Sequence, residues 1–237
     1  RLRIVGRQAR QDVWDMTRPR LLDLFCGAGG AAMGYHRAGF DVVGVDINPQ
    51  PHYPFDFIQA DAMTYPLDGF DAIHASPPCQ HFSQAVKTVN RDNHPDLLDA
   101  TRERMIASGR PYVIENVPTA PLRDYITLCG SSFGLKVRRH RKFESALLLF
   151  SRPCAHNAVE YPAVYAPAWN RTQPLRVLSI SGGYQTRKNI GEDFLEQHKA
   201  AMGIDWDISY NELSNAIPPA YTEWIGAQLL RSLGVVA

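Results

Sequence analysis

From Arg20 onward, short apolar runs alternate with stretches of helical spacing. Leu21-Leu22-Asp23-Leu24-Phe25 reads as a buried strand, a glycine-rich turn follows, and Ala31 to Ala38 suits a helix. Phe40 to Val45 predicts a second strand that ends at Asp46. Phe57-Ile58-Gln59-Ala60 predicts a third that leads to Asp61, and Phe70 to Ala75 a fourth that runs into a Pro-Pro turn. Leu97 to Ser108 has the spacing of an amphipathic helix, and Tyr112-Val113-Ile114-Glu115 that of a short apolar strand. Strands alternating with helices over the first 145 or so residues predict a parallel α/β sheet with right-handed crossovers, whose ligands gather at the carboxyl ends of the strands. Past Phe150 the texture changes. Pro153, Pro162, Pro167 and Pro174 interleave with Tyr161, Tyr165 and Trp169, which predicts an irregular or β-rich insertion. A last helix, about Tyr221 to Leu233, follows Pro218-Pro219.

Composition narrows this picture only slightly. A chain of 237 residues, 45% hydrophobic and 21% charged, fits one domain with an insertion, and no apolar stretch approaches the ~18 residues of a membrane span. The arginine-rich start lacks the apolar core of a secretory signal, so a cytoplasmic address is expected. Cys26, Cys79, Cys129 and Cys154 form no C-x-x-C pair and no spacing typical of a zinc site, so no metal is expected. Net charge is only +1, yet Lys136-Val137-Arg138-Arg139-His140-Arg141-Lys142 concentrates positive charge in one place.

Candidate chemistry falls at the strand ends. Gly27-Ala28-Gly29-Gly30 lies between a strand and a helix, where missing side chains let a ligand approach backbone amides. Asp46 and Asp61 follow the next two strands. Cys79 comes directly after Pro77-Pro78, whose fixed φ angles restrict where the thiol can point, whereas Cys26 and Cys129 read as buried core thiols. Glu115-Asn116-Val117 brings a carboxyl group to the same sheet edge. Arg139 and Arg141 alternate along an apparent strand, so both guanidinium groups share one face, while Lys136, Arg138 and Lys142 read as a solvated basic edge.

Taken in order, Asp23-Leu24-Phe25-Cys26-Gly27-Ala28-Gly29-Gly30, Pro78-Cys79-Gln80, Glu115-Asn116-Val117, Arg139-x-Arg141 and Asn215-Ala216-Ile217-Pro218-Pro219 resemble the motifs of the cytosine-5 DNA methyltransferase family. The resemblance spans roughly residues 20–145 and 198–230. It departs from the family pattern at Ser76-Pro77, Val137 and Ser214. It implies a Rossmann-like α/β sheet dependent on S-adenosylmethionine, with a small inserted target-recognition lobe. The implied divisions are a basic extension over 1–19, a catalytic domain over 20–148 and 198–237, and a recognition region over 149–197.

The same resemblance implies the roles. Cys79 is the nucleophile, Glu115 the proton donor to the base, and Arg141, with Arg139 behind it, the group that holds the cytosine or the catalytic loop. Phe25 and Ile47 flank the adenine of S-adenosylmethionine, Asp46 binds its ribose and Asp61, beside Ala62, its exocyclic amine. Gly27, Ala28, Gly29 and Gly30 accommodate its methionine moiety, and Pro78, Leu98 and Asn215 complete the site. The implied partner is double-stranded DNA with the target base flipped out, with a cognate restriction endonuclease as a second candidate partner. The implied protein is a monomer of the compact bacteriophage or orphan bacterial kind. A transfer-RNA cytosine-5 methyltransferase, a non-catalytic DNA-binding module and, last, a nicotinamide oxidoreductase are the competing readings.

Overall fold

The structure is a computed structural model, and it describes residues 18–82, 95–156 and 192–235. The basic extension and most of the expected recognition region lie outside the described residues. Five strands and two helices follow the predicted order, β1 (Arg20–Leu24), α1 (Gly30–Ala38), β2 (Asp41–Asp46), β3 (Asp56–Gln59), β4 (Ala72–Ala75), α2 (Leu98–Ser108) and β5 (Tyr112–Asn116), and two more strands come after them, β6 (Ile126–Leu128) and β7 (Arg141–Glu144). The C-terminal block adds α3 (Glu192–Met202), α4 (Tyr210–Asn215) and α5 (Pro219–Ser232). Helix α3 spans the boundary expected at residue 198. No described helix is long and apolar enough to cross a membrane.

The sheet order is β3-β2-β1-β4-β5-β7-β6. Strands β1 to β5 pair in parallel, and β1, β2, β4 and β5 show the near-continuous buried runs of strands covered on both faces, whereas β3 is an exposed edge strand. The expectation of an all-parallel sheet fails at β7, which runs antiparallel to β5, and at β6, antiparallel to β7. Strand β7 is therefore internal, and the basic edge expected for its lysine does not exist: Lys142 donates to the Ala120 carbonyl at 3.3 Å and lies 3.9 Å from the centroid of the Tyr125 ring.

Two apolar layers cover the sheet. One, containing Tyr35, Phe40, Tyr221, Ile225 and Leu229, packs α1 and α5 on one face, and the other, containing Leu98, Met105 and Ile114, packs α2 on the opposite face. Close approach of α1 and α5 rests on small residues: a Cβ on Gly34 would stand 2.0 Å from Thr222 Oγ1, and Thr222 donates to the Ala31 carbonyl at 2.8 Å. This contact returns the end of the chain to the glycine turn.

Candidate active site

The carboxyl ends of β1, β2, β4 and β5 open into one cleft of about 400 Å³, and α4 closes its far side. The β1–α1 turn forms one wall. Phe25 adopts φ 57°, a left-handed conformation that side chains other than glycine avoid and that persists where surrounding structure enforces it. The glycines after it do different work. A Cβ on Gly27 would meet nothing within 4 Å, so its missing side chain leaves the cleft open. On Gly29, at φ 85°, it would strike Pro54 at 2.5 Å, and on Gly30 the Ile217 carbonyl at 2.5 Å. Gly29 is thus a packing position outside the cleft lining, whereas Gly30 serves both the cleft and the docking of the C-terminal block.

At the end of β2, Asp46 is fixed by two backbone donors: Gly27 N–H reaches Oδ2 at 3.1 Å and Asn48 N–H reaches Oδ1 at 2.9 Å. Ile47 beside it is 65% exposed at the cleft mouth, an apolar surface facing the opening. Asp23 lies beneath, fully buried, and its carboxyl pKa is pushed up by burial and by the nearby Asp46.

The opposite wall carries the thiol of Cys79. After β4 the chain runs Ser76-Pro77-Pro78-Cys79, and Asn116 at the end of β5 holds this turn by donating from Nδ2 to the Pro77 carbonyl at 3.0 Å. Phe82 N–H closes the following turn on the Cys79 carbonyl at 3.0 Å. Glu115, 6% exposed, faces Arg141, whose Nε lies 3.0 Å from Oε1. Burial pushes the Glu115 pKa up, against the opposing effects of Arg141, a hydrogen bond from Ser76, and Arg139. Burial and the Glu115 charge likewise push the Cys79 thiol up, while Arg141 and Arg139 pull it down. A proton on Glu115 therefore favours a thiolate on Cys79.

Behind this pair, His74 bridges Tyr35 Oη on Nδ1 and Ser76 Oγ on Nε2, both at 2.9 Å. Burial pushes its pKa down to about 3, so the imidazole stays neutral and acts as a fixed link from the core to Ser76.

Of the residues singled out in the sequence, Phe25, Gly27, Ala28, Gly30, Asp46, Ile47, Pro78, Cys79, Glu115, Arg141 and Asn215 all line the cleft. Five do not. Gly29 packs on Pro54, as above. Arg139 is buried behind Arg141 and donates to the Ser214 carbonyl at 2.6 Å, so it braces α4. Asp61 is exposed and caps its own turn, accepting from Met63 N–H at 2.8 Å. Ala62 and Leu98, each 2% exposed, belong to the core layer under α2. The structure adds cleft residues that the sequence reading passed over: Asp23, Asn48, Gln50, Ser76, Asn211 and Glu212. Asn48, Gln50 and Ser76 carried the signal of a position after a strand, whereas Asp23 lies within β1 and Asn211 and Glu212 within α4.

The lining carries four carboxyl groups, Asp23, Asp46, Glu115 and Glu212, of which burial favours the neutral acid at Asp23 and Glu115, and one base, Arg141, which Glu115 already faces. Such a cleft suits a ligand that bears positive charge and hydroxyl or amino donors, with an apolar ring at the Phe25 and Ile47 mouth.

The family described as C-5 cytosine-specific DNA methylase matches residues 19–123. Among curated relatives, the type II methyltransferase M.XorII of Xanthomonas oryzae is 27% identical over 188 residues, covering 70% of this chain and 41% of the relative. The type II methyltransferase M.AquIA of Picosynechococcus is 32% identical over 120 residues, covering 41% and 48%. The chain thus spans less than half the length of these relatives. Among solved structures, a DNA modification methyltransferase encoded within an E. coli prophage superposes with TM-score 0.57 at 16% identity, over 91% of this chain and 99% of that one. DNMT2 of Spodoptera frugiperda superposes with TM-score 0.52 at 15% identity, over 91% and 99%. These last two likenesses establish the Rossmann-like fold.

Proposed function

We propose that the chain, whose residues 19–123 match the C-5 cytosine-specific DNA methylase family, belongs to that family and methylates carbon 5 of a cytosine flipped out of double-stranded DNA, with S-adenosylmethionine as donor. The observation that carries this reading is the convergence of Cys79, Glu115 and Arg141 on one wall of the cleft that Phe25, Gly27 and Asp46 form on the other.

The acid-rich, open-mouthed wall fits the donor, which is cationic and carries a ribose and an adenine. Asp46 would hold the ribose hydroxyls, Phe25 and Ile47 the adenine, and Gly27, Ala28 and Gly30 with Asn215 the amino-acid end. When bound, S-adenosylmethionine supplies an electrophilic methyl group on a sulfonium.

Carbon 5 of cytosine is a poor nucleophile, and Cys79 corrects this by adding its thiolate to carbon 6, which moves the ring's electron pair toward carbon 5. Glu115 delivers a proton to N3 and so prevents negative charge from building on the ring. Arg141 keeps the Glu115 carboxyl oriented and offers its remaining N–H groups to the base carbonyl. Once carbon 5 is methylated, its proton passes to water, the ring double bond re-forms as Cys79 leaves as thiolate, and the proton on N3 returns to Glu115. A stacked base cannot reach Cys79 inside the cleft, which is why the nucleotide must leave the duplex. Residues 149–197 would supply contacts to the flanking sequence.

Labelled donor offered separately with duplex DNA and with transfer RNA tests the proposal. Methyl incorporation into DNA as 5-methylcytosine is expected, and incorporation into transfer RNA alone would overturn the DNA reading. Cys79→Ser should abolish transfer and leave donor binding by calorimetry unchanged, because the donor wall does not involve the thiol. Turnover near the wild-type rate in that variant would remove Cys79 from the mechanism.

A further inference from the structure

On the far side of the Arg139–Arg141 segment from the cleft, four side chains from distant parts of the sequence converge. Cys129 ends the β6 segment, His140 sits between the two arginines, and Cys154 and His156 follow β7. Their Sγ and ring nitrogen atoms all lie within 4.8 Å of one another. Cys129 Sγ is 3.4 Å from His156 Nε2, and Cys154 Sγ is 3.5 Å from His140 Nε2. We propose that Cys129, His140, Cys154 and His156 form a structural zinc site.

The distances carry the case. Zinc holds thiolate sulfur at about 2.3 Å and imidazole nitrogen at about 2.0–2.1 Å, so a tetrahedral centre sets sulfur and nitrogen about 3.5 Å apart. The two measured pairs share no residue and correspond to opposite edges of such a tetrahedron. Two sulfurs and two imidazoles form a complete ligand set with no open position, the mark of a structural rather than a catalytic ion. On binding, both thiols release their protons to solvent, the two thiolates cancel the dication, and no electron changes hands. A neutral centre adds no charge to a segment already crowded with Arg138, Arg139 and Arg141.

Support surrounds the ligands. Ser131 donates from Oγ to Cys129 Sγ at 3.3 Å and accepts from Ala155 N–H at 3.2 Å, so one hydroxyl ties the two cysteine segments together. Arg138 donates to the His156 carbonyl at 3.2 Å. Because side chains alternate along an extended segment, a metal on His140 would brace from behind the backbone that aims Arg139 and Arg141 at the other face. It would also anchor residues 154–156 to the catalytic domain.

Metal analysis of the full chain, purified under reducing conditions without chelator, should find about one zinc per chain, as a closed four-ligand site binds. Replacing zinc with Co²⁺ should give the visible bands of tetrahedral cobalt with thiolate charge transfer in the ultraviolet. Cys154→Ser, at an exposed position that should leave the far-ultraviolet circular dichroism unchanged, should lose both the zinc and the charge-transfer intensity, and His156→Ala should do the same. Ser131→Ala should weaken zinc binding by about 10–100-fold. Cys79→Ser should keep the metal in full, which separates this test from that of the catalytic reading. Folded wild-type protein without zinc, equal zinc in the Cys154→Ser variant, or a Cys129–Cys154 disulfide in place of the metal would each overturn the site.

Discussion

Glu115 and Cys79 need opposite protonation states for the proposed chemistry, and burial works against one of them. The raised Glu115 pKa favours the acid that donates to N3, whereas the raised thiol pKa disfavours the attacking thiolate. The productive pair, acid and thiolate, is then the minor form of the singly protonated site. Its share is constant between the two pKa values, because both tautomers carry one proton. The rate constant kcat/KM should therefore be flat with pH between an acid limb set by Glu115 and an alkaline limb set by Cys79. Glu115→Gln should lower kcat/KM by about 10²–10⁴-fold, the usual contribution of a general acid. It should also turn the flat region into a steady rise with pH, since only the thiolate remains to titrate. A variant that keeps the wild-type plateau would show that Glu115 is not the proton donor. At this scale the sequence was informative where chemistry sits at a strand end, as for Cys79, Glu115 and Asp46. It was silent on His74 and Ser76, whose link to Glu115 depends on packing inside the core. Ser76, one of the departures from the family pattern, is the residue that hydrogen-bonds Glu115.

At the scale of elements, the helix–strand alternation from β1 to β5 was legible because apolar runs and turn residues mark it directly. The direction of β6 and β7 was not, since side-chain alternation is the same in parallel and antiparallel strands. Nor can spacing pair charges that lie 42 positions apart. Helix α2 presents Leu98, Thr101, Arg102 and Met105 inward, and Arg102 meets Glu144 of β7 through Nε at 2.6 Å and Nη2 at 2.9 Å, both side chains buried. Glu144 also accepts from Arg123 N–H at 2.7 Å. This pair joins the helix layer to the antiparallel strand that carries Arg141. Removing one partner of a buried ion pair strands the other charge, so Arg102→Met should lower the unfolding free energy by about 3–5 kcal/mol. Arg102→Met combined with Glu144→Met should recover much of that loss, because no isolated charge remains. Denaturant unfolding of the two variants measures both, and a single variant as stable as wild type would exclude a structural role for the pair.

For the whole molecule, the decisive feature is that a C-terminal block completes a cleft begun at residue 20. The sequence announced this return through Asn215-Ala216-Ile217-Pro218-Pro219, but not the contacts that hold it. Trp206 donates to the Ala28 carbonyl at 3.1 Å, Arg139 grips Ser214, and His52 in the β2–β3 connection lies 3.0 Å from Glu212 of α4. Glu212 is also half of the capping box that starts α4, so the His52 contact bears on the helix that carries Asn211 and Asn215 into the cleft.

The His52 pKa is raised from 6.5, first by the hydrogen bond to Glu212, and the Glu212 pKa is lowered from 4.5 by Ser209 and His52 despite burial. The raised histidine contributes stability that is fully present below its unfolded value and is lost as pH rises through the folded one. The lowered carboxyl contributes above its own unfolded value and is lost as pH falls through the folded one. The latch is therefore strongest between about pH 4.5 and 6.5 and weakens above. Both side chains are partly exposed, 31% and 19%, so its strength is at most about 1 kcal/mol. Thermal unfolding at a series of pH values should show wild type losing stability relative to His52→Gln as pH rises from 6 toward 8, about where a histidine of raised pKa gives up its proton. Donor affinity, measured by calorimetry over the same range, should fall in parallel for wild type and stay level in the variant, because the latch positions α4 on the donor side of the cleft. Parallel stability curves for the two proteins would show that His52 and Glu212 do not couple the two halves of the chain.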